Sequence, residues 1–127
     1  MKIPQAQFEL LHTICQQIYD KRGFNILTID VRGVSTMTDY FIFCEGTVDK
    51  HVQALFWVVH DRIREKYGSR PMHTEGQSVG DWAALDYGDV IIHFFTPELR
   101  EKYQLEQIWK AGRVVDTKLE MVVANQL

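Results

Sequence analysis

Six consecutive residues, Val90-Ile91-Ile92-His93-Phe94-Phe95, are apolar in both phases of a strand, His93 alone excepted. Successive side chains of a strand point to opposite faces, so a strand without a polar phase must be covered on both sides. The run is far too short to cross a bilayer. It therefore predicts the centre of a sheet with helices on both faces, and the rest of the chain has to supply neighbours and cover.

Periodicity identifies both. Pro4 suits the first turn of a helix, and Leu11, Ile14, Cys15 and Ile18 follow at helical spacing before Gly23, which predicts a helix over 4–21. A second stripe, Val52, Leu55, Phe56, Val59 and Ile63, predicts a helix ending at Tyr67-Gly68, with Thr47 or Asp49 as its cap. Phe24–Val31 and Tyr40–Cys44 read as strands, and their short link favours an antiparallel pair. Met72–Glu75 reads as an edge strand. Asp81–Asp86 reads as a strand joined to the central run through Tyr87-Gly88-Asp89. Thr96-Pro97 opens a short helix with Glu98 in its first turn, and Leu105–Ala111 adds a turn or two. From Gly112 the pattern thins. The reading is α/β: a single mixed sheet of about five strands flanked by helices, with a domain at 1–111 and a tail at 112–127.

Charge narrows the function. The chain has 127 residues and a net charge of −3, with 14 Lys and Arg against 17 Asp and Glu. Proteins that grip phosphates draw most of their affinity from Lys and Arg, so any RNA contact here is minor at most. Cys15 and Cys44 sit singly in apolar runs and read as buried thiols. The first residues lack the apolar core of a signal peptide, and no run is long enough for a membrane span, which points to a reducing cytoplasm.

Reaction chemistry finds no footing. Asp86 and Asp89, or Asp30 and Asp39, could hold a divalent cation, but no Gly-Ser phosphate cradle and no same-face acid pair accompanies them. Turn and capping duty explains each equally well. His12, His51, His60, His73 and His93 show no zinc spacing. Neither a cofactor nor a metal is expected. The segment that stands out is Gly80–Asp89, where Trp82 and Tyr87 are residue types that anchor protein interfaces. Packing in the core is the alternative, and periodicity alone favours it.

The sequence resembles the ribosomal silencing factor family, also called Iojap-like proteins. The matching stretches are Thr38-Asp39-Tyr40-Phe41-Ile42, Glu75-Gly76, Asp81-Trp82, Leu85-Asp86-Tyr87-Gly88-Asp89-Val90, His93-Phe94, Arg100, Tyr103, Leu105-Glu106 and Trp109. They run from about residue 5 to 111, and their order and spacing together are specific. Residues 112–127 lie past the family's usual end. The resemblance implies a nucleotidyltransferase-like fold without the catalytic carboxylates, and hence no enzyme. It implies binding to the large ribosomal subunit through ribosomal protein L-fourteen, blocking small-subunit joining and lowering translation when nutrients are scarce. The contact residues it implies are Trp82, Leu85, Asp86 and Tyr87, extending to Arg100 and Lys102. Two other readings stay open: a degenerate nucleotidyltransferase, and a homodimeric interaction module.

Overall fold

The computed structural model describes residues 2–78 and 80–121. Helix α1 (Gln5–Asp20) leads into strands β1 (Phe24–Asp30) and β2 (Tyr40–Glu45), followed by the long helix α2 (Asp49–Tyr67). Strands β3 (His73–Glu75), β4 (Trp82–Asp86) and β5 (Val90–Phe95) come next, then the short helices α3 (Pro97–Tyr103) and α4 (Leu105–Ile108) and a last strand β6 (Arg113–Val115). The six strands lie in the order β3-β4-β5-β2-β1-β6. β2 and β5 run parallel, and the other neighbouring pairs run antiparallel.

The doubly apolar run is interior, as its pattern requires. Val90, Ile92 and Phe94 face the layer of α1 and α2, where Leu11, Ile14, Ile18, Leu55, Phe56 and Val59 cover them. Ile91 and Phe95 face the other way, with Phe41 and Phe43 of β2 beside them and Leu99, Leu105 and Trp109 of the short helices against them. β2 shares this double cover, with every one of its residues buried. No helix among the described residues is long and apolar enough to cross a membrane.

Helix boundaries follow local chemistry, with one departure. Neither Thr47 nor Asp49 takes the cap position of α2; Val48 does, without a side-chain cap bond. Asp49 instead acts from the first helical position, its carboxylate accepting the Lys50 N–H at 2.8 Å, and His51 Nδ1 accepts the Thr47 N–H at 2.9 Å. The first takes up a donor that a helix start leaves without a partner, and the second ties down the residue just before the cap. At the other end Gly68 adopts φ +68, the left-handed turn that closes helices and that glycine tolerates without strain.

The segment 112–127, set apart as a tail by its thinning pattern, supplies the sixth strand instead. Arg113, Val114 and Val115 pair with Asp30, Ile29 and Thr28 of β1. Beyond β6, a ring nitrogen of His12 bonds Thr117 O at 2.7 Å, and the Glu120 N–H donates to Gln16 Oε1 at 2.8 Å. Three residues are too few to show a strand period, which is why β6 was not legible. Residues 122–127 lie outside the described residues.

One ion cluster ties this edge together. Asp30 is 2% exposed and takes Arg32 Nη2 at 2.7 Å and Arg113 Nη2 at 3.3 Å. The Arg32 guanidinium, bonded to it, holds the Asp30 carboxyl down at about 2 against the opposing effect of burial. Its folded pKa lies below the unfolded one, so the stabilisation is complete above the ordinary carboxylate range and fades as pH falls toward 2. Asp30→Asn should cost about 2 kcal/mol at pH 7. Denaturant melts of parent and variant should converge as the pH is lowered through 4 toward 2; a gap that stays constant would mean that the charge is irrelevant.

Candidate functional site

β4 divides its side chains between the two faces of the sheet. Ala83 and Leu85 point under α2, and Leu85 is 0% exposed within the helix-side core. Trp82, Ala84 and Asp86 alternate with them onto the opposite face. The four residues of the expected contact run are therefore not one surface. Leu85, expected as a contact residue, is enclosed in the helix-side core, and Tyr87 packs against that core with its hydroxyl buried and without a hydrogen-bond partner among the described residues. Burial, with a smaller push from Asp61, raises the Tyr87 hydroxyl to about 12. Trp82 and Asp86 remain together on the open face.

There Trp82 ends a chain of ring contacts that crosses the sheet. Trp109 meets Phe41 at 5.0 Å between centroids, Phe41 meets Phe43 at 5.6 Å, and Phe43 meets His93 at 5.6 Å. Trp82 lies 6.0 Å from His93, 5.5 Å from Phe95 and 5.0 Å from Tyr103. Helices α3 and α4 cover this ladder at one end, while Tyr103 at the Trp82 end is 49% exposed. Tyr103 carries no role in the sequence reading, although it lies in a matching stretch. Its tertiary contact with Trp82, 21 positions away, leaves no trace in local periodicity. Lys102 is exposed, with its Nζ 5.3 Å from the centre of the Tyr103 ring.

The loop before β4 positions the indole. Glu75 ends β3, and Gly76 turns with φ +68, passing so close that a Cβ there would fall 2.0 Å from Trp82 O. Only glycine permits both the turn and the approach. Gly80 N–H returns to Gly76 O at 3.0 Å, and Thr96 N–H is held by Asp81 O at 3.0 Å, pinning the start of β4 to the end of β5. At the far end Asp86 Oδ1 accepts the Gly88 N–H at 2.8 Å and closes the hairpin.

Arg100 faces inward. It bonds Glu45 at 3.1 Å and Glu106 at 3.0 Å, and donates to the carbonyl of Asn25. The Arg100 side chain is 11% exposed and that of Glu45 8%. Asn25 sits at φ +49, where β1 shifts register against β2, and the bulge offers its carbonyl to the guanidinium. A cleft of about 600 Å³ opens over this clamp. Arg100, expected as a contact residue, is engaged here by two carboxylates and a backbone carbonyl.

His93 is the titratable group at the centre of the open face. The Trp82 indole N–H can only donate, so its 3.2 Å bond to His93 Nδ1 makes that nitrogen an acceptor and leaves the proton on Nε2. Burial, partly opposed by the charge of Asp86, lowers His93 to about 4. The carboxylates considered for catalysis are dispersed: Asp30 is tied to two arginines and Asp86 to the hairpin. Among the described residues no three His, Cys, Asp or Glu side chains gather as a metal site.

These features define a three-layer α/β protein with an aromatic and acidic face left open at one side of its sheet. The chain matches the family model "Ribosomal silencing factor during starvation" over residues 4–126 and belongs to that family. A ribosomal silencing factor of Bacillus subtilis is 36% identical over 102 residues, which is 80% of this chain and 86% of the relative. A mouse protein named "Mitochondrial assembly of ribosomal large subunit protein 1" is 34% identical over 105 residues, 81% of this chain but 46% of the relative. A crystal structure from Bacillus halodurans superposes with a TM-score of 0.73 at 29% identity, covering 85% of this chain and 97% of that one. The family match runs past residue 111 and takes in β6, so the sixth strand is part of the family domain.

Because the folded pKa of His93 lies below its unfolded value, protonation favours the unfolded chain. Its full stability is present above about 6.5 and is lost as pH falls from there to about 4. His93→Gln can still accept from Trp82 but cannot titrate. The drop in unfolding free energy between pH 7 and pH 4 should be smaller in the variant by about 2 kcal/mol or more. An equal drop in both proteins would show that His93 does not carry the acid sensitivity.

Proposed function

We propose that this chain docks on the large ribosomal subunit through ribosomal protein L-fourteen and bars the small subunit by steric overlap. Translation then falls when nutrients are limiting, and the protein acts in the cytoplasm without catalysing a reaction. The observation that carries the reading is the half-open aromatic pair of Trp82 and Tyr103, set among the acidic residues Asp81 and Asp86. Large aromatics at the centre of a surface, with charge at its rim, are the composition of a protein-binding hot spot. Lys102 belongs to the rim. The net charge of −3 favours a basic protein over bare RNA as the point of contact.

The family membership supports a ribosomal role, and the name of the mouse relative supports the large subunit as the partner. A steric block needs no reactive group. It needs only an interface strong enough to compete with the small subunit.

Trp82 is partly buried, so its removal has two effects that must be separated. Trp82→Ala should cost about 2 kcal/mol of stability, less than the roughly 3–5 kcal/mol of a fully buried tryptophan. It should also weaken binding roughly thirtyfold. Tyr103→Ala, which empties no core site, should weaken binding about tenfold with little change in melting temperature. Sedimentation with purified large subunits measures binding, and a reconstituted joining assay should show small-subunit association recovering in parallel. Parental binding by both variants would place the docking surface elsewhere.

A further inference from the structure

The open face of β4 has a gap in it. Ala84 lies between Trp82 and Asp86 on this face, and its methyl group leaves space beside the indole. Strand register sets the walls: Glu75 of β3 and His93 of β5 both lie opposite Ala84. The result is a notch of about 380 Å³ lined by Glu75, Gly76, Trp82, Ala84 and His93. Its floor is a methyl group and one wall is an indole.

The charge of the notch is one-sided. Neither Glu75 nor Asp86 has a cationic partner among the described residues. Asp86 spends one oxygen on the Gly88 N–H, and its charge is near enough to act on His93. His93, held neutral at physiological pH, adds no compensating charge. An apolar side chain filling the notch would take water from carboxylates without replacing it, and an acidic one would be repelled. A cation satisfies these walls together: the Glu75 carboxylate on one flank, an aromatic face beside it and an apolar floor for its methylene stem, with the Asp86 charge farther along the same face of β4.

We propose that this notch receives a lysine or arginine side chain of the protein on which the chain docks, with its stem over Ala84 and its charge at Glu75 beside the Trp82 indole. The assignment rests on the docking reading above and gives the chemistry of one contact within it. Neutral contacts alone would leave the acids of this face without a partner once the interface closed over them. A basic side chain seated here also fixes the orientation of docking, because the notch is displaced from the Trp82–Tyr103 pair toward the β3 edge.

The test uses purified large ribosomal subunits and the full chain in sedimentation binding, with melting curves on each variant. Glu75→Lys reverses the charge, Glu75→Gln removes it, and Ala84→Leu fills the notch from its floor. Glu75→Lys and Ala84→Leu should each bind roughly tenfold more weakly, and Glu75→Gln a few-fold more weakly with a shallower salt dependence. Trp82→Ala serves as the reference for docking itself. If it loses binding while Glu75→Lys and Ala84→Leu bind like the parent, the notch is not a contact and the docking reading stands. If only Ala84→Leu weakens binding, the occupant is apolar and the cation is overturned. If Trp82→Ala binds at parental strength, the docking face is wrong and the notch falls with it. Should Ala84→Leu melt well below the parent, the two Glu75 variants decide alone, since Glu75 is exposed on an edge strand.

Discussion

The parallel pairing of β2 with β5 is the constraint from which the other placements follow. Both strands are closed to solvent on two sides, so the chain must provide a helical layer above them and another layer below. α1 and α2 are long and amphipathic enough to complete the first. The second is built from two short helices that cover the middle of the sheet and meet Trp82 through Tyr103. The open face is thus a direct result of unequal cover: sixteen- and nineteen-residue helices on one side, seven- and four-residue helices on the other.

Most of this plan could be read from periodicity. The stripe of α2, the antiparallel pair of β1 and β2 and the tight hairpin at Gly88 appear where apolar spacing and turn residues put them. Two things could not be read. β6 is too short to show a period, and it is recruited because β1 has a free edge that Arg113 reaches with its charge on Asp30. The cap of α2 falls on Val48, which has no capping side chain; Thr47 lies one residue too early, its N–H bonded to His51 Nδ1, and Asp49 is already the first helical residue.

The site was legible in composition and illegible in orientation. Trp82 and Asp86 share a face because they are four positions apart on a strand, whereas Leu85 and Tyr87 fall in the opposite phase. The stretch 82–87 has a single familiar pattern, yet half of it serves folding and half serves the surface. Arg100 illustrates the same division. A charge expected at the interface also holds a bulged strand, since Glu45, buried at the end of β2, needs a cation within reach. The exposed partner of Trp82 is the aromatic three residues later in the same helix.

The closure of the β1 edge by Arg113–Val115 has a consequence for the order of events during synthesis. The edge of β1 forms early in the chain, and its covering strand is made more than eighty residues later. The contact between His12 and Thr117 spans 105 positions and closes the same seam from the helix side. Contacts of such long sequence separation form late, because the entropy of closing the loop has to be overcome before any bond is gained. While the chain is still being made, β1 therefore presents an unpaired row of amides and carbonyls to its surroundings. A nascent chain stalled before residue 113 should be a substrate for chaperones or for mispairing between copies, and truncation at the same point should act less as the loss of a tail than as the reopening of a seam.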